Sequence, residues 1–339
     1  MKTSKKLWIA PIIAGLLGVA LLGCSANGNN NAAPASTASA SVAATQGASS
    51  AAAATASASV TTATERSYTD YKGHTVLIPT EPRRVVFAGE TTGDLIELDL
   101  PLVGIFGEDL EGRVYKEKAE KIEDVGFPIN LEKVTSLTPD LIMVADTDEE
   151  AYEQLSKIAP TIMFDTFATL EVRMKELGEI FGIQETTNAW LADYETKAAA
   201  MWDKLYATVL KPGETASVLT YYPGDRLFAM ARAGLPQLLY SKGGLKPTAP
   251  IQEILDAGEG FRQFSAEAIG QYAGDLIFIL DPVADEAKKS TETLLNSPVW
   301  KALPAVKNGR VYRLYIQSSD SDAATRKWML EELPRMLQK

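Results

Sequence analysis

The side chains that most enzymes use to move protons or attack carbon are scarce in this chain. One histidine, His74, and one cysteine, Cys24, stand among 339 residues. A single imidazole leaves no acid–base relay, and no G-x-S-x-G elbow, H-E-x-x-H helix, P-loop or G-x-G-x-x-G turn occurs. Zinc or manganese capture needs several His and carboxylates together, so no metal bound directly by the protein is expected. Carboxylate pairs such as Asp146 and Asp281 could in principle act as acid and base, which keeps a secreted α/β enzyme as the competing class. What the chain does repeat is an acidic spacing. Glu132, Asp140, Leu141, Ile142 and Asp146 recur without a gap as Glu267, Asp275, Leu276, Ile277 and Asp281, and Leu155 to Pro160 is echoed by Trp300 to Pro304. Two similar units of helix and strand point to a duplicated body with a cleft between its halves, a preferred place for a ligand.

The repeats flank one long element. From Thr186 to Thr208, Trp190, Leu191, Tyr194, Ala198, Met201, Trp202 and Leu205 fall on one helical face, and Asp193 and Lys197 pair at i, i+4 on another. Such a helix rises about 34 Å and reads as a strut. Before it, a hairpin turning at Lys72-Gly73 leads into short apolar strands, at residues 84–88, 102–106, 141–145 and 161–164, that alternate with helices. After it, strands are expected at 217–222, 227–230, 276–280 and 310–315. A helix is expected over Leu235–Leu245, and a last one from about Ser321, capped by Asp320 or Ser321. The fold class is α/β, with two lobes of largely parallel sheet, residues 66–185 and 209–339, joined by a single long α-helix, residues 186–208.

The N-terminus is read separately. Lys2, Lys5 and Lys6 precede an apolar run of about 16 residues from Leu7 to Leu22, short for a bilayer span of about 20. Cys24 directly after Leu21-Leu22-Gly23 resembles the lipobox of bacterial lipoproteins, which makes residues 1–23 an export signal and Cys24 the lipidation site. Residues 24–65, rich in Ala, Ser and Thr, form a flexible tether. Loss of the three leader lysines takes the formal charge from −11 to −14, which excludes nucleic acid as a partner.

From residue 68 onward, ordered fragments carry a family resemblance. They run through Pro82-Arg83-Arg84-Val85-Val86, Asp124-Val125-Gly126, Leu137-Thr138-Pro139-Asp140-Leu141-Ile142, Phe264-Ser265-Ala266-Glu267 and Pro298-Val299-Trp300-Lys301 to Asn308-Gly309-Arg310-Val311-Tyr312. The chain resembles the substrate-binding proteins of iron–siderophore ABC importers, a class that also includes haem and cobalamin binders. The resemblance implies capture and delivery without covalent chemistry, no cofactor, a ferric siderophore as ligand and iron that arrives already chelated. It implies docking of Glu132 and Glu267 on permease arginines, and small closure about the helical strut. Ligand contacts are expected from Glu90, Thr91, Phe106, Arg113 and Tyr115 in the first lobe. Tyr221, Tyr222, Arg226, Arg232, Tyr315, Gln317 and Trp328 are expected from the second, Arg to pair with oxygens and aromatics to pack flat faces. Thr220-Tyr221-Tyr222 stands where catecholate binders often carry positive residues, which favours a hydroxamate or mixed ligand. The protein is expected as a monomer, lipid-anchored on the outer face of the cell membrane.

Overall fold

The computed structural model describes residues 64–107, 110–145 and 149–338. The export signal, Cys24, the tether to residue 63 and Asp146 lie outside them. The chain enters through an antiparallel hairpin, β1 (Glu65–Thr69) and β2 (Thr75–Pro79), with Thr69 opposite Thr75. Asp70 closes the turn by accepting the Lys72 and His74 amides at 3.0 and 2.9 Å. Its other oxygen takes the Met163 amide at 2.8 Å, which fastens the hairpin to the first lobe.

That lobe runs β3 (Val85–Ala88), α1 (Thr92–Glu97), β4 (Leu102–Ile105), α2 (Lys116–Ala119), β5 (Glu123–Asp124), α3 (Leu131–Ser136), β6 (Leu141–Val144), α4 (Glu149–Ser156), β7 (Thr161–Met163) and α5 (Leu170–Phe181). Its five strands are parallel in the order β5-β4-β3-β6-β7. Every residue of β3, β6 and β7 is buried, so these strands are near-continuous apolar runs, with Thr161 at the start of β7 the one polar residue, rather than alternating ones. Helix α5, to which the sequence pattern assigned nothing, is capped by the Thr169 hydroxyl, which accepts the Val172 amide.

The long helix is α6 (Gln184–Thr208), which starts two residues earlier than the spacing suggested. Its apolar face serves two cores in turn. Leu191, Tyr194 and Ala198 pack with Leu170 and Met174 of α5, while Met201, Trp202 and Leu205 enter the core of the second lobe. Asp193 and Lys197 pair on its solvent side at 2.6 Å.

The second lobe comprises β8 (Thr215–Tyr222), β9 (Arg226–Met230), α7 (Pro236–Leu239), β10 (Lys246–Pro247), α8 (Ala249–Asp256), β11 (Phe261–Phe264), α9 (Ile269–Tyr272), β12 (Leu276–Asp281), α10 (Asp285–Asn296), α11 (Pro298–Ala302), α12 (Pro304–Lys307), β13 (Val311–Tyr315) and α13 (Ala323–Leu337). The strand order is β11-β9-β8-β12-β13, with β10 beside β8. Strands β8, β12 and β13 are parallel, but β9 runs antiparallel to both of its neighbours, β8 and β11. The three residues between Tyr222 and Arg226 permit only a hairpin, since a parallel neighbour needs a long crossover. The helix expected over Leu235–Leu245 is confined to Pro236–Leu239, and the chain turns back at Ser241–Gly244, where the Leu245 amide meets the Leu239 carbonyl at 2.7 Å. The last helix is capped by Asp322, not by Ser321 or Asp320; its carboxylate accepts the Thr325 amide at 2.9 Å.

Helix α13 is a second link between the lobes. Ala323 joins the α5–α6 cluster, whereas Met329, Leu333 and Met336 belong to the second lobe's core. Among the described residues no helix is long and apolar enough to cross a membrane.

Candidate functional site

The lobes meet along a seam that the return from β13 to α13 threads. Arg173 and Asp94, both fully buried, pair at 2.6 Å, and Asp94 also accepts the Ala323 amide at 2.7 Å. Arg173 donates on to the Ser321 carbonyl at 2.7 Å. Asp322 lies so close to Gly93 that a side chain at 93 would collide with its carboxylate, and the Tyr315 ring lies against Gly112 in the same way. The Ser318 hydroxyl reaches the Gly112 carbonyl at 2.5 Å. Arg113 ion-pairs with Asp320 and donates to the Tyr115 hydroxyl at 3.1 Å. Tyr115 is buried, and burial pushes its phenol well above the usual range.

Beside this seam lies the cleft. An inner cavity of about 210 Å³ is walled by Glu90, Thr91 and Phe167 from the first lobe and by Tyr222, Phe261 and Asp320 from the second. A wider outer one of about 450 Å³ shares Phe167 and Phe261 and adds Asp165, Arg232 and Glu259. Glu90, Thr91, Thr166 and Phe167 follow the ends of β3 and β7, and Tyr222 ends β8, so strand ends supply much of the wall. Three aromatics stay open: Tyr222 is 37% exposed, Phe167 41% and Phe261 42%. Tyr222 meets Phe228 edge-on at 5.4 Å, and Phe228 meets Phe261 at 5.5 Å, which holds the second lobe's two rings in a fixed array.

The polar groups of the inner cavity are few. Glu90 accepts the Thr166 hydroxyl at 2.8 Å. Thr91 is 2% exposed, and its hydroxyl has no partner among the described residues. Burial pushes the Asp320 carboxyl up to about 8; Arg113 opposes the rise, while Asp322 and Glu90 add to it. Burial likewise raises the Asp322 carboxyl to about 6, with Asp94 adding. Burial, with Asp320 and Glu90 adding, raises the Tyr222 phenol against the opposing Arg226.

Of the residues expected from sequence, the structure gathers Glu90, Thr91 and Tyr222 in the inner cavity and Arg232 at the outer one. Arg113, Tyr115 and Tyr315 belong to the seam, and Gln317 is buried in the turn after β13, its Oε1 without a partner among the described residues. Tyr221 is 6% exposed and packs in the second lobe's core, because successive strand residues face opposite sides. Trp328 packs half-buried against the other core of that lobe. Phe106 stands edge-on to Phe127 at 5.4 Å. Arg226 donates to the Pro223 carbonyl at 2.8 Å and lies over Phe228, while Arg232 binds the Gly258 and Phe167 carbonyls at 3.1 Å each. Phe167, Phe261 and Asp320 were not foreseen as site residues. The signal available for Phe261 was an apolar side chain on a short edge strand with polar neighbours.

Elsewhere, Glu132 and Glu267 are both exposed, each in the first turn of a short helix. The Glu267 carboxyl is held below its usual value by its own amide and the Ser265 hydroxyl. Asp281 is occupied by Arg313 at 2.6 Å. The His74 Nδ1–H donates to the Asp70 carboxylate at 3.0 Å, and the ring stacks on Tyr152 at 4.1 Å. Among the described residues no three His, Cys, Asp or Glu side chains converge as a metal would require.

The family model described as periplasmic binding protein matches residues 88–316. The iron(3+)-hydroxamate-binding protein YxeB of Bacillus subtilis is 34% identical over 254 residues, which cover 73% of this chain and 77% of that protein. The crystal structure of Staphylococcus aureus SirA complexed with staphyloferrin B superposes with a TM-score of 0.71 at 28% identity, covering 80% of this chain and 98% of that one. A Bacillus subtilis structure described as the periplasmic binding protein component of a ferrichrome ABC transporter gives 0.67 at 28% identity, covering 80% and 100%.

Proposed function

The chain belongs to the periplasmic binding protein family, and on that premise we propose that it captures a ferric siderophore between its lobes and delivers it to an ABC permease. The observation that carries this reading is the open aromatic wall, Tyr222 and Phe261 from one lobe facing Phe167 from the other across contiguous cavities. Apolar faces with a few polar groups suit a bulky chelate, and they do not supply a proton relay. The relatives' ligands, iron(3+) hydroxamates for YxeB and staphyloferrin B for SirA, support the same ligand class. The iron enters as cargo, already wrapped by its chelator.

Delivery rests on Glu132 and Glu267, which are exposed at equivalent places in the two lobes and dock on the permease. Anchoring rests on Cys24, whose lipid chains hold the protein at the outer face of the membrane while the tether lets the lobes reach the transporter. The test is a fluorescence titration of the protein's tryptophans with ferric hydroxamates, a ferric tricatecholate, haem and cobalamin. Saturable quenching by a ferric hydroxamate at micromolar or lower concentration is expected. Quenching by haem or cobalamin alone would transfer the cleft to those ligands.

A further inference from the structure

Pockets for small ligands run to about 300–1,000 Å³. The inner cavity, at about 210 Å³, falls below that range, and Phe167 and Phe261, which line both cavities, stand where it meets the outer one. Contacts between the lobes fix that boundary. Arg232 of the second lobe donates to the Phe167 carbonyl of the first at 3.1 Å, and its other nitrogen is held by the Gly258 carbonyl, also at 3.1 Å. The Gln237 side-chain amide donates to the Ala168 carbonyl at 3.3 Å and to the Arg232 carbonyl at 2.9 Å. The Phe167 ring lies so close to Gly260 that a side chain there would collide with it. The loops on both sides are stiff. The Asp165 carboxylate accepts the Phe167 and Ala168 amides at 2.9 and 3.1 Å, and Arg173 reaches from the seam to the Ala168 carbonyl at 2.5 Å. Opposite them, the Gly260 carbonyl accepts the Ala231 and Arg232 amides at 2.9 Å each.

The seam and these crossing contacts differ in burial. Asp94 and Arg173 are sealed from solvent, whereas the bond from Arg232 to Phe167 is exposed. Contacts at an exposed edge open at lower free energy than those in a sealed interface. Resting on the ferric-siderophore reading above, we propose that Arg232 and Gln237 form a clasp that holds residues 165–168 across the cleft and must release before a chelate can enter. The seam acts as the pivot, and Phe167 leaves Gly260 so that the two cavities become one. A seated chelate occupies the gap that Phe167 had crossed, so the clasp stays open in the loaded state. Arg232 is then a positioning residue of the empty protein and not a grip on ligand oxygens. The two roles have opposite signs. Truncating a ligand contact weakens binding, whereas truncating a clasp removes the cost of opening and tightens it.

Stopped-flow quenching of the tryptophans by a ferric trihydroxamate reads this in the wild-type chain. When opening precedes binding, the observed rate levels off as ligand concentration rises, and such a plateau is expected. Arg232→Met keeps the stem and removes the donors. It is expected to raise the plateau and the affinity about tenfold, as loss of a hydrogen bond from a charged group implies, with the dissociation rate unchanged. Gln237 lines neither cavity, and Gln237→Leu is expected to shift both quantities the same way by about threefold. Arg232→Lys, which keeps a charged donor, is expected to fall between Arg232→Met and the wild type. Thermal melting verifies that each variant folds. A wild-type rate that climbs linearly to the limit of the instrument would overturn the clasp and leave siderophore capture standing. Weaker binding by Arg232→Met through faster dissociation would overturn it too, and so would unchanged rates in both Arg232→Met and Gln237→Leu. Failure of the wild type to bind the probe would overturn the siderophore reading and this inference with it. The plateau needs no variant, so a misfolded substitution would not rescue the proposal.

Discussion

The two lobes carry the same acidic pair and put its members to different uses. In the first lobe Asp140 stands just before β6 and accepts the Arg83 and Arg84 amides at 2.8 and 2.9 Å. In the second, Asp275 stands just before β12 and accepts the Thr215 amide at 2.9 Å and its hydroxyl at 2.8 Å. Each aspartate thus ties the entry of its own strand to that of the neighbour, β3 or β8. The glutamates eight residues upstream make no such tie and stay exposed. A repeated residue that serves the fold and a repeated residue that does not sit within one motif, and the second kind points outward into solvent. The lobes differ beyond the motif. Only the second has a reversed strand, β9, paired antiparallel with β8 and β11; β9 and β11 supply Phe228 and Phe261, so the aromatic wall is lopsided by construction.

The largest effect is expected where the lobes are joined. Asp94→Ala or Arg173→Ala alone strands a buried charge and should cost about 3–5 kcal/mol in urea unfolding. A loss below about 1 kcal/mol would mean that the seam does not hold the lobes. Next comes the outward pair. Reversal of both Glu132 and Glu267 to Lys should lower cellular uptake about a hundredfold, since like charges at a docking face cost several kcal/mol, with ligand affinity in solution unchanged. Wild-type uptake by the double variant would end the docking assignment. Asp140→Ala and Asp275→Ala should each cost about 1–3 kcal/mol through unsatisfied amides, and the two losses should match. A marked difference would show that the repeated aspartates do not do equivalent work.

The smallest effect follows pH. Asp322 and Asp320 titrate at about 6 and about 8 in the folded chain, above the ordinary carboxylate value. A raised folded pKa contributes stability that is full below about pH 4 and is lost as pH rises through the folded value. Asp322→Asn keeps a good helix cap and removes one of these titrations. The variant should therefore gain on the wild type in thermal melts at pH 8 relative to pH 4. An unchanged difference between the two pH values would contradict the placement of Asp322 against Asp94.

The hairpin, the apolar strands, the strut and the repeat were legible because each rests on local periodicity or on a turn. The antiparallel edge of the second lobe was not read, although the short stretch between Tyr222 and Arg226 held the clue. Cavity-lining positions were legible where a strand end fixes them, as at Glu90, Thr91 and Tyr222. Tyr221 was misplaced because strand alternation puts adjacent residues on opposite faces. Arg113 and Tyr315 were placed in the cleft by type, but they sit in the seam against Asp320 and Gly112, about 200 positions away in the chain, a distance that no local pattern encodes.

The central claim is capture of a ferric siderophore by an aromatic wall built from both lobes. Isothermal titration of the chain with a ferric trihydroxamate, run for the wild type and for Phe261→Ala, tests it most directly. The account expects one ligand per chain and an affinity loss of about tenfold or more in the variant, as removal of a packed aromatic contact implies. Binding by the variant as tight as by the wild type, or no binding by either, would contradict it.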